Sequence, residues 1–185
     1  LSKDNSERIF VPASSGYAEE MFTRFFKPND KQRFFNGAAL GSMGLGLPHA
    51  IGASLATSSS VICLEADGGI MLNIQELATL SQLAPKGFIL IILNNEGYQS
   101  IRSSQIRFFK EKYGADEGSN LYVPSFKDLA NSFKIDYLRI ETNKDFQEFF
   151  LNHPKDSPPI IIDLRIIKDE PRGPSVKTII NENGE

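Results

Sequence analysis

Polar side chains follow two apolar runs of this chain at the point where each run stops. Asp67 comes directly after "VICLEA" (61–66), and Asn94 and Asn95 end "GFILIILNN" (87–95). A carboxylate and an amide carbonyl are hard oxygen donors, and Mg²⁺ prefers such donors together with phosphate oxygens. If the two runs are neighbouring strands, the pattern indicates a site for a magnesium diphosphate.

Glycines follow both polar positions. Gly68 and Gly69 would open the next helix, where the absence of side chains lets a phosphate approach unpaired backbone N–H groups at the positive end of the helix dipole. Gly97 could offer a backbone carbonyl close to Asn95. Asp-Gly and Asn-Glu-Gly are also ordinary turn formers, and each one alone is more typical of a turn. The two together, with a helical pattern between them, favour the ligand site.

The elements that must position these residues alternate between strand and helix. Strands are predicted at 8–12, 61–66, 87–95, 136–140 and 159–167, and helices at 16–26, 42–57, 70–84, 97–109, 125–134 and 144–152. The central strands are apolar on both sides, which is typical of a doubly wound, mostly parallel α/β sheet with helices on both faces. Ligands bind such sheets beyond the carboxyl ends of the strands, at a switch point.

Composition excludes several classes of protein. The 185 residues carry a formal net charge of −3, and no basic block favours nucleic acid or a membrane surface. The single cysteine, Cys63, lies in an apolar run and is interpreted as a reduced, buried thiol of a cytoplasmic protein. The chain starts at Leu1 without an apolar signal region, which suggests a processed chain or an excised piece. We expect one domain over 1–168 and a tail over 169–185.

Two linked motifs carry a family resemblance. "ADGGIMLNIQELATL…ILNNEGY" resembles the thiamine diphosphate motif, in which Gly-Asp-Gly is followed by a helix and an Asn pair. Upstream, "NGAALGSMGLGLPHAIGASLA" (36–56) is similar to the segment that precedes this motif in acetolactate synthases and related 2-oxoacid decarboxylases. The chain is therefore identified as resembling their C-terminal diphosphate-binding domain. Ala66 stands where the family usually has Gly, which leaves the metal ligand untouched.

The resemblance implies roles for individual residues. Mg²⁺ would be held by Asp67, the side-chain oxygen of Asn95 and the backbone carbonyl of Gly97, whereas Asn94 would make a structural hydrogen bond. Met43 would prop the cofactor into its bent shape, although composition alone makes it an ordinary core residue. The residues expected to contact thiamine diphosphate are Gly41, Ser42, Met43, Gly68, Gly69, Asn95, Gly97, Tyr98 and Ser100.

The resemblance also implies an activity. A 2-oxoacid of the pyruvate class would lose carbon dioxide, and the remaining fragment would be joined to a second carbonyl, so the enzyme would act as a lyase and transferase. Family members need a catalytic Glu from a pyrimidine-binding domain, and neither His49 nor His153 lies in the matching "HE" context. No catalytic residue is therefore assigned to this chain. The pyrimidine-binding domain would come from the same full-length chain or from a separate subunit, in a homodimer or homotetramer.

Alternatives remain at this level. The chain contains no Trp, and Ser104 occupies the position where acetolactate synthases carry one that helps to select the acceptor. A non-ligating decarboxylase of the sulfopyruvate or phosphonopyruvate type is therefore a second hypothesis, and a non-catalytic cofactor-binding module is a third. A dinucleotide-binding oxidoreductase is disfavoured, because Pro48 interrupts the glycine-rich turn and His49 replaces its third glycine.

Overall fold

The six strands of the described residues form one parallel sheet. The structure is a computed structural model that describes residues 6–13, 15–37 and 39–170. The strand order is β2-β1-β3-β4-β6-β5, and every neighbouring pair is parallel. The strands are β1 (Arg8–Pro12), β2 (Gln32–Phe34), β3 (Ser60–Ala66), β4 (Ile89–Asn94), β5 (Asp136–Ile140) and β6 (Ile160–Arg165).

Helices cover both faces of the sheet, as predicted. They are α1 (Gly16–Phe25), α2 (Gly46–Ala56), α3 (Asp67–Ile70), α4 (Glu76–Leu83), α5 (Gln99–Phe109), α6 (Phe126–Ser132) and α7 (Asn143–Asn152). On one face, residues of α2, α4 and α6 pack in a core cluster with Val61 and Cys63 of β3. On the other face, residues of α1 and α7 pack with Ile62 and Leu64, because successive side chains of a strand point to opposite sides. The doubly wound α/β prediction is confirmed.

The register of the two central strands brings the polar positions together. In the β3–β4 pair, Ala66 lies opposite Leu93. Asp67 and Asn94 each follow those residues, so both chain segments leave the sheet at the same carboxyl edge. The strand pairing that the sequence hypothesis required is therefore present, and it places the two motifs side by side.

The helix predicted at 42–57 begins four residues later than expected, at Gly46. Gly41 and Gly44 have φ angles of 61° and 76°, in the left-handed region that interrupts a right-handed helix. The Glu65 carboxylate also accepts the Gly46 N–H at 2.7 Å, which fixes the start of α2. Pro48 falls in the first turn, where its missing N–H is tolerated.

The helix predicted at 70–84 is in fact three short segments. It starts earlier, as α3 at Asp67, continues as a 3₁₀ turn over Met71–Asn73, and resumes as α4 at Glu76. The Asn73 side chain donates to the carbonyl of Gly44 at 2.9 Å, a tertiary contact that helical periodicity does not reveal. The strand β2 was also not predicted, because three residues at a sheet edge carry too little pattern.

The loop predicted at 110–124 is ordered by one acid. Asp116 is fully buried, and its carboxylate accepts from Ser119 Oγ at 2.8 Å and from Lys112 Nζ at 2.6 Å, while Lys168 Nζ lies 3.4 Å away. The adjacent Ala115 carbonyl accepts the N–H of Tyr98 at 2.8 Å, so the loop braces the segment that follows β4. Within the described part of the chain, no helix combines the length and the apolar composition needed to cross a membrane.

Replacing Asp116 with Asn is expected to lower the melting temperature by a few degrees at pH 7. The pKa of Asp116 is lowered to about 2 in the folded protein, chiefly by the hydrogen bond from Lys112. The stabilisation that this carboxylate gives the folded protein is therefore present above the ordinary Asp pKa of about 4 and is lost as the pH falls toward 2. Thermal unfolding from pH 7 to 2 should show the two proteins converging below pH 4. Asp30→Asn, at an exposed position, is the control and should follow the wild type throughout; a pH-independent deficit in Asp116→Asn would contradict the assignment.

Candidate functional site

A cavity of about 270 Å³ opens at the carboxyl edge of β3 and β4. Its wall combines the two glycine-rich motifs with the start of α1. Eight of the nine residues predicted to contact the cofactor line it, namely Gly41, Met43, Gly68, Gly69, Asn95, Gly97, Tyr98 and Ser100. Ser42 is exposed and does not line this cavity, although its neighbours Gly41 and Met43 do.

Asp67 ties the two strand ends together. Its Oδ1 accepts the N–H of Gly68 at 2.7 Å, and its Oδ2 accepts the N–H groups of Asn95 at 3.1 Å and of Gly97 at 2.8 Å. The residue is fully buried. The carboxylate is thus held between the turn after β3 and the turn after β4, next to both residues that were predicted to share a metal with it.

Two opposing effects act on the charge of Asp67. Burial is the larger one, and it raises the pKa of this carboxyl above its usual value. The hydrogen bonds from Gly97, Gly68 and Asn95 and the nearby Arg102 guanidinium lower the pKa and offset part of that effect. A cation bound next to this carboxylate would favour its charged form further, and the charged form is the one that ligates a metal.

The side chain of Asn95 carries an unpartnered oxygen. Asn95 is 4% exposed, its Nδ2 donates to Gln99 Oε1 at 2.7 Å, and its Oδ1 has no hydrogen-bond partner among the described residues. Buried polar atoms in folded proteins are normally paired, so an orphaned side-chain oxygen on a residue whose backbone N–H binds the Asp67 carboxylate calls for a ligand. The donors fit Mg²⁺, which combines few protein oxygens with phosphate oxygens.

The neighbouring Asn94 has a different role. Its Nδ2 donates to Asp163 Oδ1 at 2.9 Å, and its Oδ1 accepts the N–H of Glu96 at 3.2 Å. Both ends of the amide are therefore used in the protein itself, as expected for a structural residue. Of the two asparagines, only Asn95 has a side-chain oxygen that no described residue occupies and that could bind a ligand.

Glu65 holds the first glycine-rich motif against the second, and sequence analysis did not single it out. Its Oε1 accepts the Gly46 N–H, and a Cβ on Gly46 would lie 2.5 Å from that oxygen, so only glycine fits. Burial raises the pKa of Glu65 to about 7, although the N–H groups of Gly46 and Leu47 act in the opposite direction. An acid inside an apolar strand was the available signal, since buried carboxylates need partners.

Tyr98 explains why glycine is needed after Asp67. A Cβ built on Gly68 would collide with the Tyr98 ring, so the ring packs directly against the Gly68 backbone. Gly97 is similarly confined, because its φ angle is 123° and a Cβ there would collide with the carbonyl of Ala115. Gly68, Gly97 and Tyr98 all line the cavity, so a side chain at either glycine would change its wall.

The segment after β6 crosses beside the cavity, and it too was missed. Asp169 pairs with Arg102 of α5 at 2.7 Å, and the Glu170 carbonyl accepts from Gln99 Nε2 at 2.8 Å. The Glu170 carboxylate accepts from the hydroxyl of Tyr17, a cavity residue, at 3.0 Å. The first two residues of the predicted tail are thus docked on the site, and 171–185 lie outside the described residues. No local sequence pattern links positions so far apart.

Comparison with known families supports the same region. A family model described as "Thiamine pyrophosphate enzyme, C-terminal TPP binding domain" matches residues 14–164, which include every motif discussed above. The fold is similar to that of the Rhodococcus jostii RHA1 thiamine diphosphate-dependent 4-hydroxybenzoylformate decarboxylase, with a TM-score of 0.71 and 26% identity. That similarity covers 91% of this chain and 31% of the decarboxylase chain.

The sequence relatives include acetolactate synthases. The chain is 32% identical over 160 residues to the acetolactate synthase of Arthrospira platensis, covering 85% of this chain and 27% of that protein. It is 33% identical over 169 residues to the acetolactate synthase large subunit of Pyropia yezoensis, covering 89% of this chain and 28% of the relative. The chain therefore spans less than a third of the length of the relatives it matches.

Two glycines of α2 provide a matched test of the contact with Glu65. Gly46→Ala should destabilise the protein by about 1–3 kcal/mol, because the new methyl group displaces a buried carboxylate from its N–H partners. Gly52→Ala has open space around its Cβ and should stabilise the same helix by about 0.5–1 kcal/mol. Denaturant unfolding measures both changes. Equal effects of the two substitutions would show that Glu65 does not secure the start of α2.

Proposed function

The chain belongs to the thiamine pyrophosphate enzymes, as a C-terminal TPP-binding domain of the acetolactate synthase-like kind, and we propose that it binds thiamine diphosphate through Mg²⁺. The proposed reaction removes carbon dioxide from a 2-oxoacid of the pyruvate class and joins the remaining fragment to a second carbonyl. The observation that carries the metal part is the unpartnered Oδ1 of Asn95, a residue whose backbone N–H donates to the buried carboxylate of Asp67. A hard cation would give Asn95 Oδ1 its missing partner and would neutralise the charge of Asp67.

The proposed metal ligands are Asp67, Asn95 Oδ1 and the backbone carbonyl of Gly97. Within the described residues, no group of three His, Cys, Asp or Glu side chains could hold a metal ion. The proposed set consists of one carboxylate, one amide and one backbone carbonyl. It leaves coordination positions for diphosphate oxygens, as Mg²⁺ prefers.

Backbone groups of the two glycine-rich turns are proposed to hold the rest of the cofactor. Gly68 and Gly69 lie at the start of α3 and line the cavity. The Gly68 N–H donates to Asp67 Oδ1, so Gly68 is proposed to act mainly by letting the diphosphate approach closely, and the Gly69 N–H is the group proposed to face it. Gly41 and Met43 line the wall formed by the first motif, where their backbone groups would hold the aminopyrimidine ring and the Met43 side chain would support its bent shape.

When bound, thiamine diphosphate would supply a ring carbon that is nucleophilic once deprotonated, together with an electron sink for the decarboxylation of a 2-oxoacid. The residues of this chain bind and orient the cofactor for that step. Asp67 and Asn95 fix the diphosphate end, and the loop secured by Glu65 fixes the ring end. Holding both ends limits the positions of the reactive carbon, and such preorganisation accounts for much of the rate enhancement in enzymes generally.

The complete enzyme is proposed to include a pyrimidine-binding domain, which would supply the catalytic Glu from the same chain or from another subunit. The support for this is that the relatives are more than three times longer than the matched region.

We further propose a homodimer or homotetramer in the cytoplasm. The buried Cys63, whose pKa is raised by burial and by the nearby Glu65, suits a reducing compartment.

A non-ligating 2-oxoacid decarboxylase is the second candidate. Ser104, in the position where a Trp was expected for acceptor selection, is an exposed residue of α5, and the chain has no Trp at all. A small polar residue there contributes little apolar surface for a second ketoacid. The two candidates share the cofactor site and differ only in the fate of the fragment that remains after carbon dioxide is lost.

The metal site is tested by Asp67→Asn in the full-length protein that contains this domain. Mg²⁺-dependent binding of thiamine diphosphate, followed by calorimetry, should weaken by more than about 100-fold, because even outer-shell changes typically cost 10–100-fold. Asp128→Asn, at an exposed acid of α6, is the control and should bind as the wild type does. If the wild type shows no Mg²⁺-dependent binding, the proposal is wrong.

Product analysis separates the two candidate reactions. With pyruvate as the only substrate, carboligation yields acetolactate, whereas protonation of the same fragment yields acetaldehyde. We expect acetolactate as the main product from pyruvate, measured by mass spectrometry. The same assay is then applied to a panel of other 2-oxoacids. Acetaldehyde as the main product would instead favour the non-ligating decarboxylase.

A further inference from the structure

A primary amide presents an oxygen at one end and an NH₂ group at the other, and the two ends are similar in shape. An Asn that ligates a metal must therefore be held with its oxygen toward the ion, because the NH₂ group is a poor ligand and would repel it. Asn95 is such a ligand in the proposed function. The structure shows what fixes its direction.

Three polar groups form a chain of hydrogen bonds with one polarity. The Glu170 backbone carbonyl accepts from Gln99 Nε2 at 2.8 Å, and Gln99 Oε1 accepts from Asn95 Nδ2 at 2.7 Å. A backbone carbonyl can only accept, so Gln99 must turn its NH₂ group toward Glu170. The Gln99 oxygen then faces Asn95, which must turn its own NH₂ group toward Gln99.

We infer that Gln99 is a positioning residue that directs the Asn95 oxygen toward the metal, and that the Glu170 carbonyl sets its polarity. The inference rests on the proposed function, since it assigns a purpose to the free Asn95 Oδ1. Reversal of the Asn95 amide would bring Oδ1 against Gln99 Oε1, two acceptors without a proton between them. Asn95 and Gln99 are 4% and 5% exposed, so bulk water does not readily relieve that contact.

Arg102 anchors the segment that sets the polarity. Its Nε donates to Asp169 Oδ1 at 2.7 Å, and its terminal nitrogens donate to the carbonyls of Asn95 and Glu96, both at 3.2 Å. One buried guanidinium therefore holds the residue before Glu170 and the backbone of the metal-binding turn in a fixed relation. The segment after β6 is in this way connected to Asn95, the proposed ligand that follows β4.

The test measures the Mg²⁺ affinity of the full-length protein in the presence of thiamine diphosphate, with thermal unfolding recorded for each variant. Gln99→Leu should raise the Kd for Mg²⁺ by about 10–100-fold, the range typical of partners that orient a metal ligand. Gln105→Leu is the matched control, because Gln105 is on the same helix and also makes two hydrogen bonds, both to the Tyr113 backbone. It should leave the Kd within about twofold of the wild type, and a normal Kd in Gln99→Leu would overturn the inference.

A carboxylate at position 95 makes the relay unnecessary, since either of its oxygens can face the ion. In an Asn95→Asp background, Gln99→Leu should therefore not raise the Kd for Mg²⁺ by more than about twofold, and it should lower the Kd where it removes the contact between Gln99 Oε1 and a carboxylate oxygen. The same large loss in both backgrounds would mean that Gln99 supports the fold rather than the amide direction, and would overturn the inference. Gln99→Met, closer in length to Gln, replaces Gln99→Leu in both backgrounds if that variant does not fold.

The contribution of the docked segment is tested by Asp169→Ala, which removes the ion pair with Arg102 but no contact of Gln99. It should weaken Mg²⁺ binding in the same direction and to a smaller extent than Gln99→Leu; an unchanged Kd would overturn the role of Glu170. Absence of Mg²⁺ binding in the wild type would instead overturn the proposed function, and the inference with it. The two failures are therefore distinguishable.

Discussion

The interaction on which the site depends is the buried carboxylate of Asp67 accepting three backbone N–H groups. One of these belongs to the turn after β3, and the other two belong to the turn after β4. Parallel strands bring their carboxyl ends to one edge of the sheet, but sheet pairing alone does not fix the loops beyond that edge. Asp67 fixes them, and every proposed contact of the cofactor with the second motif is placed relative to it.

Strand β3 extends the same principle to the first motif. Glu65, two residues before Asp67, accepts the N–H at the start of α2, and Asn73 donates to the carbonyl of Gly44. Two motifs separated in sequence thus meet through hydrogen bonds from a single strand and the turn that follows it. Both acids are buried and both have raised pKa values, a cost that the backbone N–H groups only partly offset. Such a cost is typical of functional sites.

The sequence predicted the fold and most of the cavity because those features are local. Continuous apolar runs identified the central strands, and polar residues at their ends identified Asp67 and Asn95. Features that depend on tertiary contacts were not predictable in this way. At the break in the helix after Asp67, Asn73 contacts Gly44, 29 residues away, and the contact between Gln99 and Glu170 joins positions 71 residues apart. Neither leaves a periodic pattern in the chain.

The choice of an amide at position 95 explains why a distant segment is needed. A second carboxylate beside Asp67 would place two negative charges in a buried site, where like charges raise each other's pKa and oppose ionisation. A neutral amide avoids this repulsion, but it ligates through only one of its two ends. Its direction must then be set by a neighbour, and that neighbour by a group that cannot itself be reversed. The backbone carbonyl of Glu170 is such a group, so the neutrality of Asn95 and the docking of the segment after β6 are two parts of one arrangement.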